Sequence, residues 1–148
     1  MKGRSMTDLS LETAQAILAS AVKVARERGL KPMGVVVLDA RASLKAALSE
    51  DGSPIDRWKI AFGKANGALA LGFSSRRIGV IAVDRPHLFA GLATVVEGGI
   101  VPVAGAVLIR DAAGAVIGAA GASGDTSDND EALLVTAVES ADLIADVA

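Results

Sequence analysis

The chain has 148 residues, with 15 basic against 17 acidic side chains and a net charge of −2 at neutral pH; apolar residues make up 51% and aromatics only 3%, and there is no cysteine. The lack of cysteine excludes disulfides, iron–sulfur clusters, thiolate zinc and thiol catalysis. The balanced charge gives no electrostatic case for nucleic acid, and no apolar run reaches the roughly 18 residues that a membrane span needs.

One domain is the expectation at this length, placed over residues 8–148, with residues 1–7 as a flexible start that lacks the apolar core of a signal peptide. Cysteine-free composition fits a cytoplasmic protein. With so few aromatics the core must be built from Ala, Val, Leu and Ile, so its elements must pack closely.

Ser10 followed by Leu11-Glu12-Thr13 reads as a capped helix start. Leu11, Ala14, Ile17, Leu18, Ala21, Val22 and Ala25 recur at helical spacing, and Gly29 and Pro32 end the helix, predicted over about 8–28. Met33–Leu38 and Leu44–Leu48 read as two strands joined by a turn at Asp39-Ala40-Arg41-Ala42. Ser53 is the expected cap of a second helix that has Pro54 as its first residue and stops near Gly72. Within it Gly63 and Gly67 lie four apart, where backbones can pack closely. Residues 74–83 and 86–95 read equally as helix or strand.

Glu97-Gly98-Gly99 leads into the most informative stretch. Pro102 makes Val101-Pro102-Val103 an edge or a bend rather than a central strand. Residues 106–110 and the run from Val116 are apolar almost throughout, as strands buried on both faces are. The link Asp111-Ala112-Ala113-Gly114 has the chemistry of a type I turn closed by a left-handed glycine. Gly118, Gly121 and Gly124 leave gaps where another backbone or a flat ligand can approach. Thr126 or Ser127 caps a last helix with Asp128, Asp130 and Glu131 in its first turn and an apolar face running from Leu133 to Ile144. Hairpins flanked by helices give an α+β domain.

The candidate functional residues are few. His87 is the only histidine and sits in Asp84-Arg85-Pro86-His87, where it is either a helix-start surface residue or a ligand or acid/base. Lys64 lies in an otherwise Gly/Ala-rich apolar helix. It reads as a snorkelling lysine or as an anion contact facing the hairpin. Arg57 and Trp58 open the same helix; Trp58 suits an oligomer interface better than a ligand stack. Glu97 with Gly98 and Gly99 can bring a carboxylate and backbone N–H groups to a pocket rim. The glycine series is no dinucleotide fingerprint or phosphate loop. Asp125, Asp128 and Asp130 lack calcium-loop spacing, and no metal site other than His87 is foreseen.

In its ordered set of motifs the chain resembles the GlcG/HbpS family of haem-binding or haem-degrading proteins. It is likewise similar to the C-terminal domain of propanediol-utilisation cobalamin adenosyltransferases. The residues that carry this are Ser10-Leu11-Glu12, Val37-Leu38-Asp39, Gly63-Lys64-Ala65 with Leu71-Gly72, Gly98–Val103, Gly118–Gly124 and Asp128–Glu131. The resemblance implies a profilin-like three-layer α/β/α domain with a five-stranded antiparallel sheet. It also implies assembly as a homo-oligomer and, in some members, haem binding. Three departures stand out. Arg41-Ala42 replaces a glycine pair common after the first-hairpin Asp, so the turn must differ or carry strain. Asn66 stands where the family often has an aromatic. His87 is the only histidine available as a haem-iron ligand.

Three functions follow as expectations. The first is an oligomeric small-molecule binder of haem or another tetrapyrrole, with Arg57, Lys64, His87, Gly98 and Gly99 as ligand contacts. The second is a cofactor-independent enzyme acting on an organic acid, with His87, Glu97 and Lys64 converging on its substrate. The third is a structural accessory subunit with an apolar assembly patch.

Overall fold

The computed structural model describes residues 8–148, so the flexible start expected over residues 1–7 lies outside the described residues. The elements are α1 (Leu11–Glu27), β1 (Gly34–Asp39), β2 (Leu44–Ser49), α2 (Arg57–Leu71), α3 (Ser75–Asp84), α4 (Pro86–Val95), β3 (Ala106–Arg110), β4 (Val116–Ser123), α5 (Ser127–Glu139) and β5 (Ile144–Asp146). The five strands form one antiparallel sheet in the order β2-β1-β4-β3-β5. This is the α+β, three-layer arrangement expected from the sequence. Among the described residues no helix is long and apolar enough to cross a membrane.

Alternation along the central strands builds a core on each face of the sheet. Val35, Val37, Val107, Ile109, Ala120 and Ala122 meet α1 and α5 through Ile17, Ala21, Leu133, Leu134 and Val138. Val36, Leu38, Ala106, Leu108 and Ala119 meet α2 through Ala61, Ala65 and Ala68. The fully buried side chains that α2 gives this core are all alanines, with Phe62 and Leu69 partly buried beside them, so it gains contact by proximity. A Cβ on Gly121 would stand 2.2 Å from the Ala61 carbonyl oxygen. The glycine-spaced gaps of β4 are therefore taken by backbone and not by a ligand: Leu38 O faces Gly118, Ala61 O faces Gly121 and Pro32 O faces Gly124. Gly63 and Gly67 of α2 receive side chains, not a backbone. Val101 and Ile100 seat there, and the Val101 N–H donates to Gly63 O at 3.2 Å.

The caps explain most element boundaries. Ser10 Oγ accepts from Thr13 N, Ser74 Oγ from Arg77 N and Thr126 Oγ1 from Asn129 N. Residues 74–83 and 86–95, ambiguous in sequence, are thus both helical, as α3 (Ser75–Asp84) and α4; the second has Pro86 at its first position, where no N–H is needed. Ser53 does not cap α2. The chain turns once more at Pro54–Asp56, α2 starts at Arg57 with Asp56 at its N-cap, and Ser53 Oγ is left buried without a partner. The last apolar stretch also differs from expectation. α5 ends at Glu139, Asp142 adopts φ 59°, and Ile144 opens β5 at the sheet edge, where Asp146 accepts from Arg110 Nε at 2.8 Å.

Both hairpin turns rest on an aspartate. Asp111 Oδ1 accepts from Ala113 N and Ala115 N, and Gly114 takes φ 87°. Asp39 Oδ1 accepts from Arg41 N and Ser43 N, and Ala42 is held at φ 63°. The strain expected at Arg41-Ala42 is present, and it falls on Ala42.

Candidate functional site

Lys64 lies midway along α2 and is only 2% exposed. Its Nζ donates to Ala122 O at 3.0 Å and to Asp130 Oδ2 at 3.4 Å. Asp130, in the first turn of α5 and also 2% exposed, accepts from Asp125 N at 2.9 Å through its other oxygen. Burial lowers the Lys64 pKa, opposed by the Asp130 charge, with Arg57 adding to the lowering. Burial likewise raises that of Asp130, opposed by its backbone donor and by Lys64. Lys64 does face the hairpin, as one reading of the sequence had it, but its anion is the protein's own Asp130. It is neither a snorkelling surface lysine nor an exposed rim cation. The pair joins helices on opposite faces of the sheet, α2 and α5, which otherwise make no contact with each other.

The other expected residues lie in different settings. Arg57 is half-buried in the first turn of α2 and forms no ion pair among the described residues. Trp58 beside it is 37% exposed, with Lys59 Nζ 5.9 Å from its ring centre. Glu97, Gly98 and Gly99 are exposed. The Glu97 and Gly99 carbonyls accept from Asn66 Nδ2 at 2.7 and 2.8 Å, and Gly98 and Gly99 take φ 87° and 99°. Asn66, in the position where the family often has an aromatic, therefore pins the loop that carries the glycine pair. Among the described residues no hydrogen bond or ion pair joins any two of His87, Glu97 and Lys64, and Lys64 is closed off inside.

His87 is exposed near the start of α4, with Arg85 at the N-cap. This helix, Pro-His-Leu-Phe-Ala-Gly-Leu-Ala-Thr-Val, has no buried residue, and among the elements it touches α3 alone. Leu88 is 37% and Val95 71% exposed. An apolar helix left uncovered in this way normally marks an interaction or ligand surface.

A concavity of about 740 Å³ lies between α3, residues 102–104 and the start of α5. Gly79, Val80, Val83, Pro102, Val103 and Ala104 form its walls, and Arg76, Asp84 and Asp128 its charged rim. None of the expected site residues lines it. Arg76 donates to Asp128 and, at 3.0 Å, to Glu131, and these two carboxylates raise its pKa. The signal was present in the sequence: after the Ser74 cap, Arg76, Gly79, Val80 and Val83 share one helical stripe. The same stretch, 74–83, is also compatible with a strand, which hides the stripe.

Residues 9–139 match the family model described as haem degrading protein HbpS-like. The chain belongs to the HbpS-like family. Solved structures agree on the fold. A PduOC:haem complex superposes with TM-score 0.80 at 21% identity, over 92% of this chain and 96% of that one. HbpS itself gives 0.78 at 23%, over 94% of each chain. Protein ORFY of Klebsiella pneumoniae gives 0.82 at 23%, over 96% of each. No curated protein matches. In this chain the glycine-bearing β4 and the Lys64–Asp130 pair serve the joining of layers, and α4 stays exposed.

Proposed function

We propose that this HbpS-like protein is a small-molecule-binding protein that works as a homo-oligomer, with haem or another tetrapyrrole as its ligand class. The observation that carries the reading is α4, an apolar helix without a buried residue that presents the chain's only histidine. The family match and the likeness to a protein whose crystal structure holds haem support the ligand class.

The donor set fits the group in part. His87 offers an imidazole nitrogen, Leu88 and Val95 offer apolar surface, and Arg85 beside them offers a cation for a carboxylate. Haem, if bound, would supply an iron that the His87 imidazole would hold. One exposed helix cannot enclose a macrocycle, so a second copy must supply the opposite wall, which ties binding to assembly. Arg57 stays available as a further carboxylate contact, whereas Lys64 is withdrawn into its pair with Asp130. Gly98 and Gly99 remain candidates for backbone contact at the loop that follows α4.

The test is a haemin titration of the purified protein followed in the Soret band, with molecular mass measured by light scattering on the same samples. The expected outcome is a saturable, shifted band on a species heavier than one chain. A monomer with no saturable shift would overturn the reading.

A further inference from the structure

The cleft beside α3 has a charge pattern of its own. Its walls are apolar, and three of the valines that form them are well exposed: Val80 at 63%, Val83 at 86% and Val103 at 42%. The approach of α3 to the loop beneath is fixed by backbone, since a Cβ on Gly79 would stand 2.7 Å from Pro102 O. The only cation of the rim, Arg76, is occupied by Asp128 and Glu131. Asp84, at the opposite rim, forms no ion pair among the described residues and is exposed.

Helix ends act in the same sense. Asp84 is the last residue of α3, where the helix dipole is negative. The positive end of α5 reaches the cleft at Ser127, but Asp128 and Asp130 already fill its first turn. The cleft thus combines an apolar body with uncompensated negative charge at one rim. A carboxylate-bearing ligand finds no free cation there, whereas a positive one finds Asp84.

We propose that this cleft binds an apolar organic cation, its body against Val80, Val83 and Val103 and its charge at Asp84. The inference rests on the cleft alone and does not depend on haem being held at α4.

The probe is berberine, a flat aromatic cation that brightens on leaving water, titrated into the full-length protein at low salt beside the anionic dye 8-anilinonaphthalene-1-sulfonate. The expected result is saturable berberine binding, weakened about tenfold or more by Asp84→Asn and by Val80→Lys, with the anionic dye binding more weakly than berberine. Both substitutions are at exposed positions and leave the core untouched. Berberine binding that is unsaturable, unchanged in Asp84→Asn, or no tighter than that of the anionic dye would overturn the proposal. A haemin titration of the same Asp84→Asn sample separates the two readings: an unchanged Soret response beside lost berberine binding assigns the two ligands to different surfaces.

Discussion

Lys64 and Asp130 sit where charge is most expensive, and each has the other as its close counter-ion. Burial dominates both groups, so each is held nearer its neutral form than it is in the unfolded chain. A carboxyl whose pKa rises on folding binds protons first in the folded state, so this site gains stability as pH falls through that raised value. Removing the lysine leaves a buried carboxylate with backbone donors only. Lys64→Met is expected to cost about 3–5 kcal/mol at neutral pH, and the loss should shrink on acidification as Asp130 takes up a proton. Urea unfolding at neutral and mildly acid pH measures this; a loss independent of pH would contradict the account. Ala42 offers the opposite case. Its left-handed backbone costs a non-glycine residue about 1–2 kcal/mol, and Asp39 holds the turn whatever side chain stands there. Ala42→Gly should raise stability by about 1 kcal/mol, read as a higher denaturation midpoint with an unchanged slope.

At the scale of elements, the contact between α2 and the sheet is set by a missing side chain. Gly121 admits the Ala61 carbonyl, and backbone cannot step aside as a flexible side chain does. Gly121→Ala should therefore destabilise by at least the 1–3 kcal/mol typical of overpacking. Ala65→Gly, which removes bulk from the same contact, tests whether the effect is steric, since it should lower stability by helix propensity and lost packing without displacing α2. The comparison is read by thermal unfolding and near-ultraviolet circular dichroism around Trp58. Elements were legible where a local rule fixed them. Ser10 and Thr126 cap their helices as their side-chain chemistry dictates, and Asp111 with Gly114 makes the hairpin turn. β5 was not legible. Three residues cannot show alternation, and Ile144 continues the apolar stripe of α5 in sequence although Asp142 has already turned the chain. Ser53 misled because proline at the next position suits a helix start equally well as a turn.

For the whole molecule, the close packing of the layers suits the composition. A chain rich in Ala and Gly and poor in aromatics gains its core by bringing backbones together, and a sheet covered on both faces is the arrangement that does so. The α+β class was readable from hairpins flanked by helices and the three-layer arrangement from the family resemblance, but the site was less so. Sequence order says which residues are polar, not which of them the packing withdraws. Lys64 was consumed by Asp130 and Arg76 by Asp128 and Glu131, whereas His87 was left outside on a helix that, among the described elements, only α3 touches. That uncovered helix is the basis of the functional reading, which joins assembly and ligand binding in one surface. The most direct measurement is the Soret titration of the wild type beside His87→Ala, a substitution at an exposed position that leaves the core intact. The account predicts a saturable, shifted band in the wild type that is lost or moved in the variant. A wild-type band that survives unchanged in His87→Ala would contradict it.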